Sequence, residues 1–262
     1  MGVILTALDD SPAAEPVLRT GERIGKLLDA PLRVLHIGNC LPARLHSAGV
    51  PVRLVGGDAV NAGDAVNAGD VVNALVAAGD QPDVVVLVLG ARARTDDRRP
   101  LGPTALGVAT STGKPVVVVP PAADPHAGLD RVLAPLEGTA RTSMAPQALI
   151  DLAPDAALDV VVLHVIEPNR LPAFTDQPQH EHPAWAREFL TRYCPWEIGT
   201  VQLLTRVGRT EELIPLVARE TGRDLIVLGW SQRLPPGRAR VVRAVLQRTR
   251  LPVVLVPLPA TA

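Results

Sequence analysis

Short Val/Ile/Leu-rich runs recur along this chain: Gly2–Ser11 (GVILTALDDS), Leu32–Ile37 (LRVLHI), Pro82–Gly90 (PDVVVLVLG) and Gly113–Pro120 (GKPVVVVP). A run that is apolar on both faces reads as a parallel strand covered by helices on either side. The stretches between the runs follow a helical period instead. Ala14, Val17, Leu18, Gly21, Gly25 and Leu28 fall on one face, with Arg19, Glu22, Arg23 and Lys26 opposite. The two glycines on the inner face allow this helix to approach a sheet closely. Pro16 lies beyond the first turn of a helix opened at Ser11-Pro12, which predicts a late start or a bend. Further on, Leu213, Ile214, Val217 and Ala218 repeat the amphipathic pattern, and Gly222 is placed to stop that helix. Strands alternating with helices predict βαβ units with right-handed crossovers.

The same series then occurs a second time. Asp130–Thr139 (DRVLAPLEGT), Val160–Val165 (VVVLHV), Arg223–Gly229 (RDLIVLG) and Arg250–Pro257 (RLPVVLVP) match the four runs above in order. Asp9 precedes His36 by 27 residues, and Glu137 precedes His164 by 27. Order, spelling and interval together identify two homologous domains. We set them at residues 1–122 and 128–262, joined by the Pro/Ala/Gly stretch Pro120–Gly128. Residues 57–74 are three copies of a six-residue unit, GDAVNA GDAVNA GDVVNA. Three copies cannot bury a solenoid core and each brings one carboxylate. The segment is therefore read as a helix or a mobile loop without a metal, its last copy starting the helix into Leu75-Val76-Ala77.

Composition narrows the function. Hydrophobic residues are 47% of the 262, ample for two cores, and no apolar run approaches the ~20 residues of a membrane helix. No basic leader precedes the first strand, and Cys40 and Cys194 form no CxxC pair, so a reducing cytoplasm is the expected compartment. The net charge of −1 comes without a long run of either sign, which argues against nucleic acid or a membrane as partner. All six aromatic residues (Phe174, Trp185, Phe189, Tyr193, Trp196, Trp230) lie in the second half, so the first half offers no stacking platform for a base.

In an open parallel sheet ligands bind beyond the carboxyl ends of the strands, where the strand order reverses. Asp9 ends the first strand and Gly90 the fourth, so a switch between those strands brings them together. Ser11-Pro12 opens a helix, and Gly102-Pro103-Thr104 precedes another after the irregular segment from Ala91. Strand end, loop and helix N-terminus together suit a phosphate.

The ordered set ALDDSP, VLHI, VVVLVLGARA, LGPT and GKPVVVVPP resembles the universal stress protein domain, and so does APLEGT, VVLHV, RVGRTEELIPLVARETGRDLIVLG and LPVVLVP in the second half. The resemblance implies a tandem α/β protein of the adenine-nucleotide α-hydrolase-like group, each half with a five-stranded parallel sheet of order 3-2-1-4-5. It also implies an ATP site built from an acid after strand one and a loop of the form G-x2-G-x9-G-[ST]. Asp9 matches the acid and Gly90 the first glycine, with Ser11 and Ile37 as further nucleotide contacts. The second glycine is Ala93. The third falls on Pro103 with Thr104 as the hydroxyl, or on Gly102 if the loop is one residue shorter. Proline has no N–H to donate, so the first cradle is damaged but not erased. In the second half Glu137 stands for the acid, Val165 and Gly229 for strand-end contacts, Gln232 for the second glycine and Ala239-Arg240 for the final pair. Trp230 crowds that strand end, while Arg233, Arg238, Arg240 and Arg243 remain to attract an anion. ATP is thus expected in the first half only, and weakly.

The remaining candidates have plainer readings. His36 and His164 occupy equivalent strand positions with no nucleophile nearby in sequence, which makes strand packing their expected role. His180-Glu181-His182, with Asp176, reads as a solvated loop rather than a zinc site, and both cysteines as inert. Trp185, Phe189 and Tyr193, spaced by four, form one helix stripe from about Ala184 to Tyr193, expected to pack on the second sheet, with a partner-binding surface as the alternative. Val116–Val119 and Val253–Val256 are wholly apolar edge strands, and exposed hydrophobic edges invite pairing. They are expected to join the halves as an intramolecular pseudo-dimer, with a further homodimer left open. The expected function is a stress-response binding or regulatory module with degenerate sites and no catalytic residues. The alternative is an adenine-nucleotide-dependent enzyme of the same fold group, with ATPase or adenylating activity.

Overall fold

The computed structural model describes residues 2–11, 13–37, 52–55, 68–92, 100–153, 155–167, 183–196, 200–233 and 239–258. The chain divides into two compact units, Met1–Ala127 with Arg250–Pro252, and Gly128–Thr249 with Val253–Ala262.

In the first unit the elements are β1 (Val3–Leu8), α1 (Ala14–Leu27), β2 (Leu32–Ile37), β3 (Val52–Val55), α2 (Ala68–Gly79), β4 (Val84–Gly90), α3 (Pro103–Ser111) and β5 (Val116–Val119). All strand pairs are parallel and the order is β3-β2-β1-β4-β5. The apolar runs become interior strands because helices cover both faces: Ile4, Val34, Val84, Val88, Val118 and Val119 are fully buried. Helix α1 starts at Ala14, not at Ser11-Pro12. The late start puts Pro16 in the first turn, where a missing N–H leaves no intrahelical bond unmade. Gly21 of α1 lies so close to the sheet that a Cβ there would run into Thr6 Oγ1. The last hexapeptide copy is inside α2, and residues 57–67 lie outside the described residues.

The second unit comprises β6 (Arg131–Pro135), α4 (Ala140–Leu152), β7 (Asp159–Ile166), α5 (Pro183–Tyr193), β8 (Thr200–Val207), α6 (Thr210–Glu220), β9 (Leu225–Trp230), α7 (Arg240–Arg248) and β10 (Val253–Pro257). Its parallel order is β8-β7-β6-β9-β10, the same winding as the first. Gly222 ends α6 at φ +60. The Gly222 N–H donates to the Arg219 carbonyl (3.2 Å) and the Arg223 N–H to the Ala218 carbonyl (2.8 Å). That double bond pattern needs a left-handed residue, which glycine adopts without a Cβ penalty. Opposite the site end, Arg131 clamps Asp224 with two bonds of 2.8 Å, tying β6 to the entrance of β9.

The aromatic stripe of α5 is buried. Phe189 is 0% exposed, and its ring centroid lies 5.1 Å from His164 and from Tyr193, and 5.3 Å from Trp185. The histidine of β7 and the three aromatics thus form a hydrophobic cluster beneath the helix, with packing rather than partner display as the outcome.

Candidate functional site

The order of the first sheet reverses between β1 and β4, and a cavity of about 400 Å3 opens beyond their carboxyl ends. That size is within the range of small-molecule pockets. Its floor is apolar: Leu8, Val17 of α1, Val71 and Leu75 of α2, and Leu89. Asp9, Ser11, Gly90, Gly102 and Thr104 all line it. Ile37 is the last residue of β2, and its side chain lies outside the described residues.

Local chemistry sets what these residues can offer. Asp9 follows β1 directly, and its Oδ1 accepts the Ser11 N–H at 3.0 Å, so one carboxylate oxygen shapes the turn. Ser11 thus belongs to the turn before α1 rather than to a helix N-terminus. Gly90 is open: a Cβ would meet only Val17 at 3.4 Å and the Arg92 carbonyl at 3.8 Å. Gly102 is the N-cap of α3, Pro103 its first residue and Thr104 its second. The Gly102 N–H is spent on the Ala91 carbonyl at 2.7 Å, and the Leu106 N–H on the Gly102 carbonyl at 2.9 Å. With Pro103 lacking a donor, the Thr104 and Ala105 amides and the Thr104 hydroxyl are what this helix end presents to an anion. Among the described residues, Asp9 and Arg92 are the charged groups lining the cavity.

The second unit treats the same place differently. Glu137, Val165 and Gly229 line a cavity of only about 120 Å3. A Cβ on Gly229 would lie 2.6 Å from the Leu258 Cδ1; the first unit has Pro121 at the matching position after β5. Helices α3 and α7 have equal length and matching threonine C-caps, so Ala239, Arg240 and Val241 stand where Gly102, Pro103 and Thr104 stand. The hydroxyl is therefore lost as well as the glycine. Ala239 is held at φ 53, a left-handed conformation costly for a residue with a Cβ.

Arg240 does not wait for an outside anion. Its guanidinium lies 3.4 Å from Glu211 and 3.6 Å from Glu167. Glu167 in turn accepts the Thr210 N–H (3.2 Å) and hydroxyl (2.8 Å), filling the N-terminus of α6 with a carboxylate of the protein itself. Burial pushes the Glu211 carboxyl up, but its own backbone amide, the Arg209 hydrogen bond at 2.7 Å and the charges of Arg240 and Arg209 hold it below the ordinary value. Arg240, one of the arginines expected to attract an anion, is thus engaged with carboxylates of the protein itself. Glu167, Arg209 and Glu211 escaped the sequence reading, although Glu211-Glu212 in a first helical turn is a readable capping signal.

His164 takes the packing role expected of it, its Nδ1 lying 3.1 Å from the Leu136 carbonyl. His36 is buried, with Nε2 3.1 Å from the Asp10 carboxylate. Cys194 is buried, and desolvation pushes its thiol up to about 12, which makes it inert. Cys40, Arg238 and the His180–His182 segment lie outside the described residues. Among the described residues no cluster of His, Cys, Asp and Glu is arranged for a metal, and no helix is long and apolar enough to cross a membrane.

With this geometry in view, comparison with known proteins is informative. The model of the universal stress protein family matches residues 128–257. A universal stress protein from Archaeoglobus fulgidus DSM 4304 is similar over 98% of this chain and 96% of its own, at 16% identity and a TM-score of 0.64. A protein of unknown function from Pseudomonas aeruginosa PAO1 is similar over 98% of this chain and 92% of its own, at 14% identity and a TM-score of 0.63. At such identities the likeness is one of fold. No curated protein matches the sequence.

Proposed function

The chain belongs to the universal stress protein family, and from that membership we propose that it is a binding and regulatory module with one reduced adenine-nucleotide site, in the first unit, and none in the second. The carrying observation is the contrast between the two crevices: about 400 Å3 with Thr104 at its helix end, against about 120 Å3 with Val241 at the matching helix end. Asp9 orients the adenosine, Gly90 gives it a close approach, and the α3 end receives phosphate. With so few donors the affinity falls at about 0.1–1 mM, or roughly −4 to −5.5 kcal/mol. A fluorescent adenine nucleotide titrated into the full chain should saturate at one per chain, and Asp9→Ala should weaken it severalfold. Saturation at two per chain, or an unchanged constant in that variant, would refute the reading.

An ATPase or adenylating enzyme needs an intact phosphate loop and acids for Mg2+. Asp9 is the single acid lining the cavity among the described residues, which favours binding over turnover. Incubation with labelled ATP separates the two. A reducing cytoplasm suits a chain whose Cys194 is an unpaired, buried thiol.

The terminal strands β5 and β10 are our proposal for the seam between the units, since each is an apolar edge of its own sheet. Val117→Lys combined with Val254→Lys should expand the chain in small-angle scattering. Unchanged compactness in that folded double variant would rule the seam out.

A further inference from the structure

Resting on the nucleotide reading of the first cavity, we infer that His36 is a positioning residue of that site, holding the Asp9-Asp10-Ser11 turn against β2 through the carboxylate of Asp10. The turn has two sides. Asp9 and Ser11 line the cavity, and the Ser11 N–H donates to Asp9 Oδ1 at 3.0 Å. Asp10 between them reaches the neighbouring strand instead, where its Oδ1 lies 3.1 Å from Nε2 of the fully buried His36. A carboxylate offers only lone pairs, so this close approach requires the proton on Nε2. The histidine is itself held from both sides. Leu8 of β1 and Leu54 of β3 are in register with it.

The second unit supplies an internal comparison. His164 is the matching histidine, and the residue matching Asp10 is Gly138. With glycine at that position, the His164 ring sets its Nδ1 3.1 Å from the Leu136 carbonyl. A carbonyl also only accepts, so here the proton is required on Nδ1, the opposite arrangement. The second turn is secured from its own helix. The Thr139 side chain accepts the Thr142 N–H at 3.2 Å, and Thr142 Oγ1 accepts the Glu137 N–H at 3.3 Å. Helix α1 has Ala13 at its N-cap, which has no side-chain acceptor to offer. The first turn is held from β2 instead, by the pair His36 and Asp10. Loosening that pair lets Asp9 and Ser11 move, and a ligand must then order them in order to bind.

Charge and positioning make opposite predictions for Asp10. A negative charge in this turn repels an anionic ligand, so its loss by electrostatics alone would tighten ATP. Its loss as an anchor weakens ATP.

The test is nitrogen-15 NMR of the full chain, titrated with ATP. In the wild type His36 Nε2 and His164 Nδ1 should each carry a proton. Asp10→Ala changes a side chain that is 64% exposed, which keeps the fold intact. It should shift the Ser11 amide resonance and weaken ATP about three- to tenfold, the order of one polar contact. Asp10→Asn, which keeps an accepting oxygen, should restore most of the affinity. His36→Leu, which keeps the apolar packing, should weaken ATP as Asp10→Ala does, and the double variant should be no weaker than either. Unchanged or tighter ATP binding in Asp10→Ala overturns the inference and leaves the nucleotide site standing. So does a wild-type His36 Nε2 without a proton, or losses that add in the double variant. ATP failing to bind the wild type would remove the nucleotide reading and this inference together.

Discussion

Phe189→Ala should destabilise the second unit by about 3–5 kcal/mol, the cost of removing a buried phenyl ring and leaving a cavity that rigid neighbours cannot fill. The neighbours are rigid for identifiable reasons. His164 is fixed from β7 through its Nδ1 and the Leu136 carbonyl at 3.1 Å, and Trp185 and Tyr193 come from the same helix as Phe189. Collapse would require the helix to tilt as a whole. Chemical denaturation followed by tryptophan fluorescence should report the loss, because Trp185 and Trp196 flank the deleted ring in sequence and Trp230 ends β9 of the same unit. Replacing the exposed neighbour Arg187 by alanine should move the midpoint by no more than about 0.5 kcal/mol. A loss below about 1 kcal/mol for Phe189→Ala would mean that the stripe is not core, and would return it to the class of partner surfaces.

Gly21→Ala should cost the first unit about 1–3 kcal/mol through overpacking, against the general rule that alanine in a helix gains about 1 kcal/mol over glycine. The sign reverses because the new Cβ points at Thr6 Oγ1, which is buried on β1 and has no hydrogen-bond partner among the described residues. Thr6 is β-branched and stiff at χ1, so it cannot swing aside cheaply. Leu32 Cδ1, at 3.2 Å from the same position, closes the other exit. Thr6→Ala alone should be nearly neutral, since it deletes an unmade hydrogen bond along with a methyl. Combined with Gly21→Ala it should recover most of the loss, and the double-mutant cycle measures the coupling. Additive effects would show that the helix does not sit against the strand at that point.

The site was legible to the extent that it depends on strand ends. Asp9 and Gly90 terminate apolar runs, and any sheet with its switch between those runs must place them together, as the shared cavity does. Departures from the family's loop were legible only as missing letters: Ala93, Pro103, Arg240. What replaced the letters was not. Nothing near Gly102 in sequence announces that its amide is committed to Ala91, because the partner is fixed by the exit of β4. Nothing near Gly229 announces Leu258, which arrives from the end of β10. The ion-pair group is similar. Glu167 leaves β7, Glu211 opens α6 and Arg240 opens α7, three segments separated by more than 25 residues each.

Periodicity and internal repetition were enough, without coordinates, to decide that this chain is two copies of one parallel α/β winding, because apolar spacing is a local property that a strand or helix must satisfy wherever it is placed. Which amides, carboxylates and guanidiniums each copy still has to offer was decided by folding alone. A polar group's availability depends on what packs against it, and the groups that take up the Gly102 amide and the Arg240 guanidinium come from other segments of the chain.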